Sequence, residues 1–600
     1  MSAGCISFVA LGCSSSSAPR DAGGGSSGGT LGTGGTLGTG GQARTGGSTG
    51  SGGSKNTGGM GNGGSGGSSS GGSSSGGSSS GGTDGSSTGG ARTGGVSESG
   101  GTGGSGSGGS GTGGTIGSGG TAGAIGTGGT AGMAGTGGTA GTVGTGGVAG
   151  IVACPVLPGA PAGTPPLPTP AQLSYQRIEL NAFLHFGLAT FDGSEQANPS
   201  DPPSMFNPSN LNATTVGKWV TSLKEAGFRQ ATLVAKHSVG FALWPSKYTD
   251  YSVKSSPWMS GQGDVVKLFT DAMYANDMRP AYYLAPWDQK YPSSKADYGT
   301  YLKNQAVELL GYGPAYEIWF DGANSSTYSS VNWKPIFQAI KQAQPNLLIW
   351  SGPEIAQTGA IPDLQWIGNE NGLASRSTSS LDTKMCGSQN TYCPYECDTS
   401  SHGSWFWHSD TDIITLTALQ KAYFQTVGMN CTFMFNVPPS KTGEFSPADL
   451  NLLQQFAQWY AALYKTNLAK GQSVTADSTW AGAGFEASKA VDNDICTYWA
   501  AASGKTAGRL EVPLPSSTTV NLISIREAIE LSERVKGYHV EVKQNGAWNT
   551  SPSDKTGAKI QGTVIGNRQL WQLDGVKAEA IALVIDSARD VPAIAEFGVY

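Results

Sequence analysis

Gln230-Ala-Thr-Leu-Val-Ala-Lys236, Pro280-Ala-Tyr-Tyr-Leu-Ala285 and Tyr316-Glu-Ile-Trp-Phe320 are short apolar runs, each separated from the next by a stretch with helical spacing. Runs this short, bounded by polar and glycine-containing segments, read as strands covered on both faces. The stretches around them, Thr214 to Gly227, Asp264 to Tyr274, Tyr298 to Leu310 and Trp333 to Gln342, place apolar residues on one face of a helix. Working outward, Leu180 to Phe186 supplies an earlier strand and Asn346 to Trp350 a later one. Strands alternating with helices imply a parallel sheet with crossover helices, and a length of about 300 residues suits a TIM-like (β/α) barrel, an α/β fold. A Rossmann-like sheet is the competing architecture, but no Gly-x-Gly-x-x-Gly joins a strand to a helix in this region.

The rest of the chain has a different texture. Of 600 residues 95 are glycine and only 13% are charged, and the glycine is concentrated between Ala22 and Gly150 in Gly-Gly-Thr, Gly-Gly-Ser and Thr-Ala-Gly units. Such a stretch buries too little apolar surface to offset the entropy of ordering, so 22–170 is expected to be a disordered linker, with the prolines from Pro155 to Pro170 as a stiff spacer. The barrel is expected over 171–466. From about Ala469 the pattern becomes short extended runs, including Thr518 to Arg526, Gly537 to Lys543 and Ala578 to Ile585, which predicts an all-β sandwich of the jelly-roll class over 467–600. A net charge of -6 offers no basic field for phosphates, so nucleic acid is not an expected partner.

Residues 1–21 carry Cys5-Ile-Ser-Phe-Val-Ala-Leu-Gly12 followed by Cys13 and a run of serines, which resembles a bacterial lipoprotein signal with Cys13 as the lipidated residue. An extracytoplasmic protein, secreted or surface-anchored, is expected. The cysteines fit that compartment: Cys386, Cys393 and Cys397 cluster in a polar region, where a loop disulfide is favoured over zinc because no second pair and no His-x-x-x-His completes a metal site.

In a TIM-like barrel, reacting side chains project from the C-terminal ends of strands. Polar residues there are His185 after Asn181-Ala-Phe-Leu, His237 after Thr232-Leu-Val-Ala-Lys, Tyr283 with Trp287-Asp288 in and after the third strand, and Asp321 after Glu317-Ile-Trp-Phe. Histidines, aromatic rings and carboxylates together grip hydroxyl groups, stack on an apolar sugar face and supply an acid and a nucleophile, the requirements of glycoside hydrolysis.

Phe183-Leu-His-Phe-Gly187, Lys236-His-Ser-Val-Gly-Phe-Ala-Leu-Trp-Pro-Ser-Lys-Tyr-Thr-Asp-Tyr-Ser252, Tyr283-Leu-Ala-Pro-Trp-Asp288, Ile318-Trp-Phe-Asp-Gly322 and Trp366-Ile-Gly-Asn-Glu370 occur in this order between Ser174 and Tyr464. Together they resemble the alpha-L-fucosidases of glycoside hydrolase family 29, and Trp366 to Glu370 with Asn436-Val-Pro-Pro-Ser440 resembles the branch preferring alpha-1,3- and alpha-1,4-linked fucose. The resemblance implies a retaining exo-glycosidase acting on fucosylated oligosaccharides or glycoconjugates, with Asp321 as nucleophile and Glu370 as general acid/base. It implies a sugar site lined by His185, His237, Tyr283 and Trp319, to which Trp244, Trp287 and His408 are added as candidates, and no catalytic cofactor or metal. Glu354 and Glu396 are rivals for the acid role. The chain departs from the family pattern at Ser238 and Gln365, where a histidine and an arginine are usual. Those departures keep open two alternatives, a catalytically degenerate glycan-binding barrel and a glycosidase for a related sugar such as galactose. His402 and His539 read as structural histidines. Finally, Asn467-Leu-Ala-Lys-Gly471, Ala490 to Trp499 and Ile594 to Tyr600 resemble a discoidin-like, coagulation-factor type C domain, which implies carbohydrate binding and a structural calcium near Val491 to Trp499.

Overall fold

The computed structural model describes residue 154 and residues 156–600, apart from 293, 323–330, 383–385, 387–389 and 410. The expected signal segment with Cys13, and the expected linker as far as 153, lie outside the described residues.

Among the described residues eight strands form the first folded half: β1 Leu180–Leu184, β2 Gln230–Lys236, β3 Arg279–Leu284, β4 Glu317–Phe320, β5 Leu348–Ser351, β6 Gln365–Trp366, β7 Tyr395–Ser400 and β8 Thr432–Asn436. They run in the order β5-β4-β3-β2-β1-β8-β7-β6, every pairing parallel. A parallel bridge from Trp350 to Leu364 brings β5 beside the chain entering β6, which makes the sheet a nearly closed barrel. The expected TIM-like architecture is therefore present, and the Rossmann alternative is not.

Around the barrel lie α1 Pro170–Ile178, α2 Leu188–Asp192, α3 Ala213–Glu225, α4 Val265–Ala275, α5 Tyr298–Leu310, α6 Trp333–Ala343, α7 Pro353–Gln357, α8 Leu416–Gln425 and α9 Pro447–Leu463. Their starts follow from capping chemistry. Asn212, Asp264, Thr415 and Ser446 accept the orphan N–H of Thr215, Lys267, Ala418 and Asp449 at the heads of α3, α4, α8 and α9, each cap stabilising by about 0.5–2 kcal/mol. At α1, Thr169 and Gln172 satisfy each other's backbone, with Pro170 at the first helical position.

The strand period of two sorts the side chains into layers. On β4, Ile318 and Phe320 point outward into the helix-covered core, where Phe320 meets Trp333 and Phe337. Trp319, between them, points inward with Phe183, Tyr283, Trp350 and Met434. The next inward position after Trp319 is Asp321, at the mouth, so the alternation that builds the core also delivers the site residues.

The C-terminal module comprises β9 Thr475–Ala476, β10 Trp499–Ala500, β11 Gly508–Glu527, β12 Val535–Gln544, β13 Ala547–Asn549, β14 Gln561–Gly562, β15 Gln569–Ala588 and β16 Ala593–Val599. The strands are antiparallel in the order β10-β16-β11-β15-β12-β13, with β14 on β12 and β9 on β11. Register shifts on β11, between Pro513 and Thr518 and between Val520 and Leu522, let that 20-residue strand bend around a core holding Trp499 and Trp571. The module is the expected β-sandwich.

Two half-structures meet through charge. Glu179, after α1, takes Arg526 at 2.5 Å and Arg568 at 2.7 Å from the module, Arg177 meets Glu530 at 2.8 Å, and Arg376 lies 3.7 Å over the Trp571 ring.

The expected stiff spacer is corrected. Residues 156–169 are not a free-standing rod but a strap laid along the module: Arg589 donates to the Thr164 and Pro165 carbonyls at 2.9 and 2.8 Å, Arg534 to the Ala162 carbonyl, Trp480 to the Gly159 carbonyl at 2.8 Å and Ser532 to the Pro166 carbonyl at 2.6 Å. Cys154 closes the strap through a disulfide to Cys496. Prolines lack N–H groups, so a proline-rich strand docks through its carbonyls, and arginine side chains supply the donors. Cys386 pairs with Cys393 and Cys397 with Cys431, so the clustered cysteines are in disulfides but Cys393 and Cys397 are not bonded to each other. No described helix is long and apolar enough to cross a membrane.

Candidate active site

The mouth of the barrel is built from the ends of its strands. His185 follows β1, and its Nδ1 lies 2.9 Å from the side-chain oxygen of Asn436 at the end of β8. His237 follows β2, where the β2–β3 register slips between Val234 and Lys236. Its ring stacks on Tyr283 at 5.7 Å and 17°, stands edge-on to Phe406 at 5.1 Å and lies 5.9 Å from His185. Burial pushes the His237 imidazole down to about 4 and the His185 imidazole well below its ordinary value, so both rings are neutral near pH 7. Neutral rings both donate and accept, which suits sugar hydroxyls better than imidazolium does.

Beneath them runs a column of rings. Tyr283 stacks on Trp319 at 5.4 Å, and Trp319 on Trp350 at 3.5 Å. The Tyr283 hydroxyl donates to Asp321 Oδ2 at 2.8 Å, and the Gly322 N–H donates to Asp321 Oδ1 at 2.6 Å. Burial raises the Asp321 carboxyl, and these two donors draw it back. At the rim, burial and then the charge of Asp321 raise the Glu370 carboxyl, against the pull of a hydrogen bond from Trp405. Trp405 also lies 5.1 Å from the His185 ring, which links Glu370 to the same pocket. Burial raises both carboxyl groups, and what distinguishes them is place and partners: Asp321 is held by two donors deep in the mouth and Glu370 stands at the rim, an arrangement open to paired carboxyl groups with separate tasks.

The chain matches the alpha-L-fucosidase family over residues 173–463 and the F5/8 type C domain over residues 473–597. It is 34% identical over 470 residues to Alpha-L-fucosidase 1 of Arabidopsis thaliana, covering 74% of this chain and 88% of that one. The chain belongs to the alpha-L-fucosidase family. Among solved structures, SpGH29 superposes with a TM-score of 0.66 at 31% identity, covering 74% of this chain and 99% of that one. A GH29 fucosidase of Ruminococcus gnavus in complex with fucose superposes with a TM-score of 0.65 at 28% identity, covering 76% and 98%. This fucosidase is accordingly a glycoside hydrolase of a retaining family that needs no catalytic cofactor. Among the described residues no three His, Cys, Asp or Glu side chains converge to hold a metal ion.

Of the residues expected to line the fucosidase pocket, His185, His237, Tyr283, Trp319 and Asp321 come together, with Glu370 at the rim. Trp244 does not belong. It is buried in the core between strands and helices, where its indole N–H donates to Glu308 at 2.8 Å. Trp287 stands 40% exposed on the loop after β3. Its neighbour Asp288 is wholly buried on Lys236 at 2.8 Å; burial pushes its carboxyl up, but the lysine outweighs that and holds it low. Gly240, at φ +90°, passes so close that a Cβ would come within 2.2 Å of Asp288 Oδ1. This ion pair braces the loop after His237 and leaves Asp288 outside the pocket. His408 lies toward Glu195, 3.9 Å away, on the loop that carries Trp405.

The rivals for the acid role are displaced as well. Glu396 is fully buried within the barrel under Trp319, and Glu354 is buried in α7. Gln365 is not a pocket residue: its amide ties the Asp382 and Cys393 carbonyls at 2.6 and 2.7 Å, so the departure there is a matter of loop support. Ser238 does sit at the site, its hydroxyl 3.2 Å from His237 Nδ1. His402 is held by Asp449 at 3.0 Å, a structural histidine, and His539 pairs with Asp586 in the module. Sequence reading missed Trp405, Phe406 and Asn436 as pocket residues. The available signal is the aromatic string Trp405-Phe-Trp-His408, which also carries the candidate His408.

Proposed function

We propose that Asp321 attacks the anomeric carbon of a terminal alpha-L-fucose while Glu370 gives its proton to the departing glycosidic oxygen. Water then breaks the C1–Oδ bond of the glycosyl-enzyme, giving a proton back to Glu370, and fucose leaves with retained configuration. The observation that carries this reading is the hydrogen bond from Tyr283 to Asp321 deep in a pocket whose other carboxyl, Glu370, stands at the rim. His185 and His237 supply neutral donors and acceptors for the ring hydroxyls, and the aromatic column supplies the floor. Fucose release by the full chain from an aryl alpha-L-fucoside, abolished by Asp321→Ala, is the expected result. Undiminished release by the variant would overturn the assignment.

The natural substrates in this reading are glycans carrying alpha-1,3- or alpha-1,4-linked fucose, supported by the Trp366-Ile-Gly-Asn-Glu370 and Asn436-Val-Pro-Pro-Ser440 strings. Faster release from an alpha-1,3/4-fucosylated trisaccharide than from its alpha-1,2 isomer tests this. The C-terminal module serves in glycan binding, tested by retention of the protein on fucosylated glycan in the presence of Asp321→Ala.

We also propose an extracytoplasmic location, supported by three disulfides, with Cys13 as a lipid anchor. Palmitate labelling that Cys13→Ala abolishes is the expected outcome. A structural calcium near Val491 to Trp499 would have to be held by Asp492 and Asp494 with backbone oxygens, since no three acidic side chains of the described residues converge to hold a metal ion; Glu596 beside them is pushed up to about 7 by burial and then by Asp492. Against it, the Glu596 oxygens already take the Asn467 amide at 3.1 Å and the Asn493 N–H at 3.1 Å, so calcium would have to displace them. A rise in thermal midpoint on adding calcium tests it.

A further inference from the structure

Two fully buried carboxyl groups lie one layer below the mouth, and the chemistry at the rim gives them no task. Glu317 opens β4 and Glu396 stands in β7; both project inward, and a hydrogen bond joins them. Glu396 Oε1 accepts the Trp319 indole N–H at 2.6 Å, and its Oε2 accepts the Tyr175 hydroxyl. Glu317 Oε2 accepts the Gln230 amide at 2.7 Å and the Asn181 amide at 3.3 Å, whereas its Oε1 accepts no donor.

The groups facing the pair are Tyr175 of α1, Asn181 of β1, Gln230 of β2, Trp319 of β4, Asp398 of β7 and Thr432 of β8. Tyr175 and Asp398 titrate, and none of the six is a cation. Two carboxylates desolvated side by side without a cation repel strongly, and two oxygens in hydrogen-bonding contact need a proton between them. Glu317 Oε1, which accepts no donor, is free to carry such a proton, and the contact with Glu396 requires that one member of the pair holds it. Burial, and then the Glu396 charge, push the Glu317 carboxyl well above its ordinary range, which agrees with the geometry.

What the pair holds is the edge of Trp319. One face of that indole carries Trp350 and the other Tyr283, and the Tyr283 hydroxyl is a donor to Asp321. We propose that Glu317 and Glu396, sharing one proton, are positioning residues for fucoside cleavage: they fix the Trp319 indole, and the Trp319–Tyr283 stack fixes the Asp321 carboxylate. The inference rests on Asp321 being the nucleophile.

The test uses the full chain with alpha-L-fucosyl fluoride, whose leaving group needs no proton from Glu370, and follows fluoride release against pH. Asp321→Ala is measured first, because turnover by that variant would remove the nucleophile assignment whatever the other variants do. Trp319→Phe keeps the stacked ring and deletes the N–H; kcat is expected to fall about tenfold or more with KM within about threefold. Glu317→Gln replaces the shared proton by an amide N–H that does not ionise. Its kcat near pH 6 is expected to stay within about threefold of the parent, while the alkaline fall-off moves up by about one pH unit or more. Wild-type kcat in a folded Trp319→Phe, an unmoved alkaline limb in Glu317→Gln, or a kcat in Glu317→Gln lowered as far as in Trp319→Phe would each overturn the proposal. Should Trp319→Phe fail to fold, an unmoved alkaline limb in Glu317→Gln, or a kcat near pH 6 lowered about tenfold or more in that variant, still overturns the proposal.

Discussion

Tyr283→Phe isolates one hydrogen bond at the centre of this site. The ring stays between His237 and Trp319 and only the hydroxyl goes, leaving the Gly322 N–H as the donor to Asp321. A hydrogen bond to a charged group is worth about 1.5–3 kcal/mol, and one pH unit corresponds to about 1.36 kcal/mol. The hydroxyl stabilises the carboxylate, not the acid, so its loss raises the pH at which Asp321 ionises, by about one to two pH units. The nucleophile must be ionised to attack, so the acid limb of kcat/KM moves to higher pH and the variant is most impaired on that limb. Initial rates on an aryl alpha-L-fucoside from about pH 3 to pH 9 measure it, since this profile reports groups of the free enzyme. An acid limb that stays in place, with near-ultraviolet circular dichroism showing the aromatic stack intact, would refute the reasoning.

Trp405→Phe should act on the opposite limb. It removes a donor from Glu370, whose acid form then persists to higher pH, so the alkaline limb of kcat/KM on a substrate that needs acid assistance shifts upward in the same assay. Trp244→Phe should lower unfolding free energy by about 1–3 kcal/mol in urea, because Glu308 loses a buried donor, with kcat unchanged. Lys236→Met should cost about 3–5 kcal/mol in the same titration by stranding Asp288. Cys154→Ser with Cys496→Ser should lower stability by about 2–5 kcal/mol by differential scanning calorimetry, with fucoside turnover retained.

The first five strands of the barrel were legible because they announce themselves twice, as apolar runs and by the helices between them, whereas β6 has only two residues and β7, Tyr395-Glu-Cys-Asp-Thr-Ser400, is largely polar. His185 and Asp321 were legible for the same reason, each following a run at the position where the strand period turns inward, whereas His237 lies one residue off that period and reaches the pocket past the register slip between Val234 and Lys236. What a strand end does not reveal is its partner from another strand. Asn436 meets His185 only through the β1–β8 pairing, and Trp405 reaches Glu370 from a loop after β7. Trp244 was misplaced because its string adjoins His237, although three-dimensionally that string folds back, Leu243 N–H bonding the Ala235 carbonyl, into the outer core. Glu396 and Gln365 were misread for a related cause. A polar residue inside a barrel strand looks the same in sequence whether it faces substrate or a neighbouring backbone. The strap escaped because proline-rich composition is common to spacers and docked segments alike, and the difference here lies in Arg534, Arg589 and Trp480, more than 300 residues away.

That strap decides how the molecule bears load. The disulfide at Cys154 and the carbonyl clasp behind it mean that any pull on the chain preceding residue 154 is delivered to the sandwich before it reaches the barrel. Tension applied to that preceding chain would enter the fold at Cys496, and the strap between Cys154 and α1 would carry less of it.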